Sequence, residues 1–385
     1  MVENDEAYRK WAEGLSEKII AKMECVVSRN KGKIPYTAKN GVFNDCAKDS
    51  IGWWTNGFWG GINWQLYAVT QNPLFRETAE WTEKEMDRVF LDYRSMDHDA
   101  GFRWLPTSYA SLLLTKNKDS YNRLRLAADN LAGRFNSVGN FIRAWNEEGK
   151  NTRAGWAIID CLMNLPLLYW AARATKDWRY YAIATKHADT VLSHFVREDG
   201  SVIHIAEFDP KTGDFIQSFG GQGLGEGSSW TRGQAWALYG LTLSYLHTKE
   251  DFYLEGAKHV ATYFLSQIPD NFLIPVDFAQ PEDCSWEDSS AAAIAACGLI
   301  ELSKLDCQYA EAFFLAAVKM LEALVKHRLC LDPKRDELLE NCTVAYHDKE
   351  HNFPIIYGDY YFIEALWKLT GKDVKLWGGK NESRS

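Results

Sequence analysis

The sequence predicts an all-α fold, an (α/α)6 barrel of six inner and six outer helices that forms one domain over residues 1–385. Three observations carry this expectation. Apolar runs of helical period alternate with more charged amphipathic runs, short polar stops of one type recur between them, and the longest polar insertions all fall just before the apolar runs. The stops are Thr70-Gln71-Asn72-Pro73, Thr115-Lys116-Asn117, Thr175-Lys176-Asp177, Thr248-Lys249-Glu250-Asp251, Ser303-Lys304-Leu305-Asp306 and Thr370-Gly371-Lys372-Asp373. They recur every 45 to 73 residues, room for two helices and two connections. An open solenoid has shorter and more regular repeats, so a closed barrel fits better.

The elements follow in order. Residues 57–69, 102–114, 155–174, 231–247, 289–302 and 360–369 are rich in Gly, Ala and aromatics and read as the inner helices. Residues 75–90, 121–134, 178–196, 252–267 and 309–327 spread charges round an apolar stripe and read as outer helices, with residues 6–29 supplying the sixth. Insertions at 136–153, 197–229 and 269–288 gather at one mouth of this scaffold, where binding and catalytic residues tend to lie. Strand-like pieces such as Val202-Ile203-His204-Ile205 occur inside them.

Composition narrows the function. A net charge of −9 argues against a nucleic-acid surface. The 16 Trp, 18 Tyr and 19 Phe exceed ordinary packing needs and suit a cleft that stacks on sugar rings. Residues 1–10 are polar with no apolar leader, and no later stretch reaches membrane-spanning length without interruption, so no membrane partner is expected. Eight Cys without a Cys-x-x-Cys pair read as reduced residues of a cytoplasmic protein, and none has zinc spacing relative to the nine His, so neither a metal nor an organic cofactor is expected. A monomer or small homo-oligomer is expected.

Residues 155–170 place Asp160 inside a run that is otherwise apolar almost all round. An ionised, unpaired Asp is disfavoured there and tends to become neutral, which makes it a proton donor. Asn164 lies four residues on, the same face of a helix, and can alternatively serve simply to satisfy Asp160. The other inner-helix starts bring Trp54 and Asn56, His98 and Asp99, Trp230 and Arg232, Asp288 and Ser289, and Tyr357 toward the same mouth. Asp99, Asp288 and Ser289 each have a plainer reading as helix caps, and Arg232 as a partner of Glu226 or Asp288. Otherwise the Arg232 fork suits a substrate carboxylate, and Asn56, Trp230 and Tyr357 a bound sugar.

Six segments together resemble the unsaturated glucuronyl hydrolases, glycoside hydrolase family 88. They are Trp54-Thr55-Asn56-Gly57-Phe58-Trp59, His98-Asp99-Ala100-Gly101-Phe102, residues 159–168 around Asp160, Trp230-Thr231-Arg232-Gly233-Gln234-Ala235-Trp236, Asp288-Ser289-Ser290-Ala291-Ala292-Ala293, and Tyr357-Gly358-Asp359-Tyr360-Tyr361. The resemblance implies the same barrel and release of a 4,5-unsaturated uronic acid from oligosaccharides left by polysaccharide lyases. It implies Asp160 as general acid/base, Asp99 as a second essential carboxylate, and Trp54, His98, Trp145, His204, Gln222, Arg232 and Trp236 lining the sugar pocket. Members that prefer sulfated fragments carry Ser-x-x-Ser-x-Lys where this chain has Ala345-Tyr346-His347-Asp348-Lys349-Glu350, which implies a preference for unsulfated substrates. A related unsaturated rhamnogalacturonyl hydrolase, a conventional inverting glycosidase on the same barrel, and a helical-repeat binding protein are the alternatives.

Chemically, such a substrate is a vinyl ether that needs one neutral acid over its C4=C5 bond. Burial together with an ionised Asp99 nearby is expected to keep Asp160 neutral, while Asp99 stabilises the developing cation. Water is then activated by Asp160 or positioned by His204.

Overall fold

Most of the polar stops share one piece of backbone chemistry. An inner helix runs to Thr70, Thr115, Thr175, Thr248 or Thr370, and the next residue takes a left-handed φ: 57° at Gln71, 60° at Lys116, 61° at Lys176, 66° at Lys249 and 71° at Gly371. At Thr70, Thr175 and Thr248 the hydroxyl donates to the carbonyl four residues earlier and accepts the amide two residues later. Asn72, Asn117 and Asp177 then cap the next helix, each side-chain oxygen accepting at 3.0 Å from the amide two residues on. Each such cap is typically worth about 1 kcal/mol, so the turns are reinforced from the helices on both sides. Lys304 departs from the pattern with a right-handed φ of −82°.

The computed structural model describes residues 5–147, 149–150, 152–305 and 308–378. Asp306 of the fifth stop and Cys307 lie outside them. The inner helices are Asn56–Thr70, an interrupted helix from Ala100 to Thr115, Leu165–Thr175, Thr231–Thr248, Ser289–Ser303 and Ile356–Thr370. Each packs on the next and the sixth returns to the first, which closes the ring. Outside lie Asp5–Arg29, Pro73–Glu85, Lys118–Gly133, Trp178–His194, Asp251–Gln267 and Ala310–His327. An outer helix buries one stripe, as Ser120, Leu124, Ala127, Ala128 and Leu131 do, whereas Ser289–Ser303 is buried nearly all round.

Two inner elements differ from expectation. The run from Gly155 is not one helix: Trp156–Ile158 is a strand, Ile159–Asn164 a 3-10 turn, and the α-helix starts at Leu165 with Pro166 in its first turn. The strand pairs antiparallel with Ile205–Phe208, which pairs with Phe215–Phe219. A run buried on both faces carries no period, so propensity alone does not separate strand from helix there. The sixth inner helix begins at Ile356, four residues before its expected start.

Close approach of helices frames the site. A Cβ on Gly57 would meet Phe102 O at 2.3 Å, and one on Gly101 would meet Asn164 Cα at 2.6 Å, so the first three inner helices touch backbone to backbone. The Ala100–Thr115 element carries a π-type turn at Leu105–Tyr109, where Pro106 lacks the N–H a regular helix needs. At the opposite end from the insertions, the segment after Thr370 folds under the barrel. Trp377, 1% exposed, stacks on Tyr361 at 5.9 Å, meets Phe102 edge-on at 6.0 Å, and donates its indole N–H to Glu364 at 2.8 Å. Among the described residues no helix is long and apolar enough to cross a membrane.

Candidate active site

A cavity of about 350 Å³ opens at the end of the barrel where the inner helices begin. Eight sequence-predicted residues line it: Trp54, His98, Asp99, Trp145, Asp160, His204, Gln222 and Tyr357. Trp54 and Tyr357 stack on one another with centroids 5.1 Å apart and 30° between planes. Both are braced by Phe58 from the first inner helix.

Asp160 sits where the strand Trp156–Ile158 gives way to the 3-10 turn, which delivers its carboxyl to the cavity rather than to a helix flank. Its Oδ1 is buried with no hydrogen-bond partner among the described residues, and His204 Nε2 lies 3.7 Å away. Burial pushes its pKa up to about 7, against an opposing pull from Arg232. The carboxyl is therefore divided between its acid and its ionised form near neutral pH.

Asn164 does not satisfy that carboxyl. Its Oδ1 accepts from Phe102 N at 2.8 Å, and its Nδ2 donates to the backbone oxygen of Asp160 at 3.2 Å and to Asp99 Oδ1 at 3.4 Å. One amide thus ties the second and third inner helices together and sets both acids. Asp99 makes no capping hydrogen bond, so the cap reading fails for it. Asp288 does cap, accepting from Ser290 N at 3.1 Å.

The charges differ from the expected arrangement. Burial works against a charge on Asp97, yet Arg103, with Nη1 2.9 Å from Oδ1, and the neighbouring His98 and Asp99 amide outweigh it and hold Asp97 below the usual carboxylate range. Burial pushes Asp99 well above that range, and the Asp97 charge pushes the same way. Asp97 is therefore the ionised member and Asp99 holds a proton. Like-charge repulsion acts on Asp99, whereas burial raises Asp160.

His204 is fixed as a neutral ring. Burial, with Arg232 adding to it, lowers its pKa to about 3, and its Nδ1 accepts from Gln222 N at 2.9 Å, which leaves the proton on Nε2. Gln222 Nε2 in turn donates to Val344 O at 2.8 Å and pins the 343–346 loop over the cavity. Burial likewise lowers His98 to about 4.

Four predicted residues stand behind the wall instead of in it. Arg232 Nη1 reaches Asp288 Oδ2 and Thr343 O, each at 2.5 Å, and Nη2 reaches Val344 O at 2.6 Å, so both nitrogens of its fork are taken. Its guanidinium lies 4.4 Å over Trp230 and 5.2 Å over Tyr357. Trp230 packs between this cation and His204, whose centroid is 4.4 Å away. Trp236 is fully buried against Phe102 at 5.0 Å. Asn56 Nδ2 donates to Ser50 O at 3.0 Å and Ile51 O at 2.8 Å, which shapes the loop bearing Trp54.

The cavity also takes Tyr36, Trp53, Asp97, Arg103 and Val344. Trp53 and Asp97 each directly precede a segment that the sequence picked out, 54–59 and 98–102. Arg103 directly follows the 98–102 segment, and nothing in the sequence marks its pairing with Asp97. Tyr36 and Val344 lie in irregular segments without one.

A family model, Glycosyl Hydrolase Family 88, matches residues 26–366. The chain is 36% identical over 334 residues to the unsaturated glucuronyl hydrolase of Bacillus sp. (strain GL1), spanning 84% of this chain and 88% of that one. It is also 36% identical over 324 residues to the unsaturated chondroitin disaccharide hydrolase of Streptococcus pyogenes serotype M1, spanning 82% and 81%. The solved structure of the unsaturated glucuronyl hydrolase of Bacillus sp. GL1, described as responsible for the degradation of glycosaminoglycan, superposes with a TM-score of 0.88 at 30% identity, covering 97% of this chain and all of that one. With the barrel, the mouth and the sequence match all running nearly the length of the polypeptide, the chain belongs to Glycosyl Hydrolase Family 88.

Proposed function

We propose that the protein is an unsaturated glucuronyl hydrolase, which releases a 4,5-unsaturated glucuronic acid from the non-reducing end of lyase-generated oligosaccharides. The observation that carries this reading is the Asp160 carboxyl, raised to about 7, in the wall of a cavity that Trp54 and Tyr357 also line. The sugar of such a substrate is flattened by its double bond and suits an aromatic wall.

Protonated Asp160 delivers its proton to C4, and the positive charge that develops at C5 is shared with the ring oxygen. Water bonds to C5 and loses a proton to the Asp160 carboxylate, which restores the acid. The C5 hemiketal opens to a ketone, the ring oxygen leaves C5 as the hydroxyl of a C1 hemiacetal, and that hemiacetal breaks to an aldehyde and the free remaining sugar. No nucleophile attacks C1, so the carboxylate separation that distinguishes retaining from inverting glycosidases does not apply. Neutral Asp99 donates a hydrogen bond to the sugar, and ionised Asp97 favours the cation. General acid/base help of this kind is typically worth ~10² to 10⁴ in rate.

The test is the ultraviolet absorbance of the conjugated C4=C5 chromophore. Hydration bleaches it, and a saturated 4-nitrophenyl glucuronide stays intact. Cleavage of the saturated glycoside would assign an ordinary glycosidase mechanism instead.

A further inference from the structure

Between Ala100 and Thr115 the second inner helix carries a single charged residue, Arg103, and its side chain is 1% exposed. A buried ion pair is often no more stabilising than apolar residues of the same volume, so stability alone gives no reason for a cation here. Its contacts give one.

The two ends of the guanidinium fork go to different loops. Nη1 donates to Asp97 Oδ1 at 2.9 Å and Nη2 to Gly52 O at 2.8 Å. The same Asp97 oxygen accepts from Asp99 N at 3.0 Å, and Arg103 N returns to Asp99 O at 3.3 Å, so the turn that bears Asp99 is closed on itself through Arg103. Gly52 lies two residues before Trp54. A Cβ on Gly52 would meet Ser95 Oγ at 2.1 Å, which presses this loop against the segment leading to Asp97. Behind the fork, a Cβ on Gly57 would meet Arg103 Cα at 2.7 Å, so the first inner helix backs the residue directly. Gly52, Trp54, Asp97, Asp99 and Arg103 all line the cavity.

We propose that Arg103 is a positioning residue, which yokes the Gly52–Trp54 loop to the Asp97–Asp99 turn and so fixes the aromatic wall relative to the second acid. The proposal rests on the hydrolase reading above and adds a residue that acts through Trp54 and Asp99. Lysine keeps the charge beside Asp97, but its ammonium on a flexible stem presents no planar fork to hold two acceptors at a set angle.

The experiment measures kcat and KM separately on an unsaturated disaccharide, with melting temperatures, for wild type, R103K and the double variant D97N/R103M. R103K is expected to keep kcat within about twofold and to raise KM ~10-fold, the equivalent of one hydrogen bond from a charged donor and the pattern of lost ground-state binding. In the double variant both charges leave together and neither is stranded, so it should melt close to wild type. Its kcat/KM should nonetheless fall ~10²-fold, a typical result of misplaced reacting groups. R103K keeps the carboxylate paired and guards against a folding defect in the double variant. A folded double variant with kcat/KM within about threefold of wild type, or R103K with a lower melting temperature and unchanged KM, would overturn the proposal and leave the hydrolase reading in place. Failure of wild type to bleach the substrate would overturn that reading and the positioning role with it.

Discussion

His204 Nε2 points at Asp160 Oδ1 from 3.7 Å, and because Nδ1 is held by the Gln222 amide, that nitrogen is the one carrying the proton. A ring lowered to about 3 takes up no proton near neutrality. His204 thus stays neutral, and in the proposed mechanism the titration that governs turnover is that of the carboxyl. The rate is expected to fall as pH rises through about 7, because the acid form of Asp160 is lost there. A pH profile of kcat/KM on an unsaturated disaccharide checks this, and a limb set by a group titrating near 9 would contradict it.

Arg232 favours the ionised form of Asp160, so its removal moves the same limb upward. Arg232→Gln should shift it to higher pH by up to about one unit. The variant also strands the buried Asp288 carboxylate, a loss typically of about 3–5 kcal/mol, and a lower melting temperature is expected alongside.

Asp160→Asn should abolish turnover, by ~10³ or more, since an amide delivers no proton to carbon. Its stability should move the other way. A carboxyl whose folded pKa is about 7 against an ordinary 3.8 favours folding in its protonated form: that contribution is whole below about 3.8 and lost as pH rises through 7. The Asn variant escapes the loss, which is on the order of a few kcal/mol. It should melt several degrees higher than wild type at pH 8, with the gap closing near pH 4.

Asp99→Asn tests the second acid. With no capping bond to lose and no proton to take up on folding, the variant should melt no lower than wild type, while kcat drops by about tenfold as an amide replaces the acid's hydrogen bond to the sugar with a weaker one. A drop in melting temperature with full activity would restore the capping role.

Sulfation preference depends on the 343–350 loop. Asp348 is exposed, and its charge is felt at Tyr36, a wall residue whose hydroxyl burial pushes up to about 12 with Asp348 adding to the rise. A sulfate on the sugar next to the uronyl residue meets that charge, so unsulfated disaccharides should show the higher kcat/KM. Asp348→Ser should narrow the gap by a few-fold. A wild-type preference for the 6-sulfated disaccharide at moderate salt would refute this.

The barrel was legible because its turns repeat a chemistry: threonine at the helix end, a left-handed residue, then an Asn or Asp cap. What periodicity missed is the strand Trp156–Ile158, hidden in an unbroken apolar run, although Pro166 marked the true helix start at Leu165. Asp160 stood out as a lone carboxylate among apolar neighbours. Its environment was misassigned in one respect, because the charge beside Asp99 comes from Asp97, six residues before Arg103, and such pairing shows only once the turn between them is built. Arg232 looked like a ligand for a carboxylate, and only tertiary contacts reveal that Asp288 and two loop carbonyls occupy it. Tyr36 and Val344 arrive on irregular segments whose path no local pattern fixes.

The match to the family model stops at residue 366, eleven positions short of Trp377. Yet that indole seals the base of the barrel against Tyr361 and Phe102, and Phe102 in turn meets Trp54, 5.3 Å away in the cavity wall. The border drawn by family resemblance is therefore not the border of the cooperative unit. A fragment trimmed to the matched residues would leave an aromatic floor open to water beneath the Trp54 wall of the cavity, and expression vectors for this protein are best designed to carry the chain past Trp377.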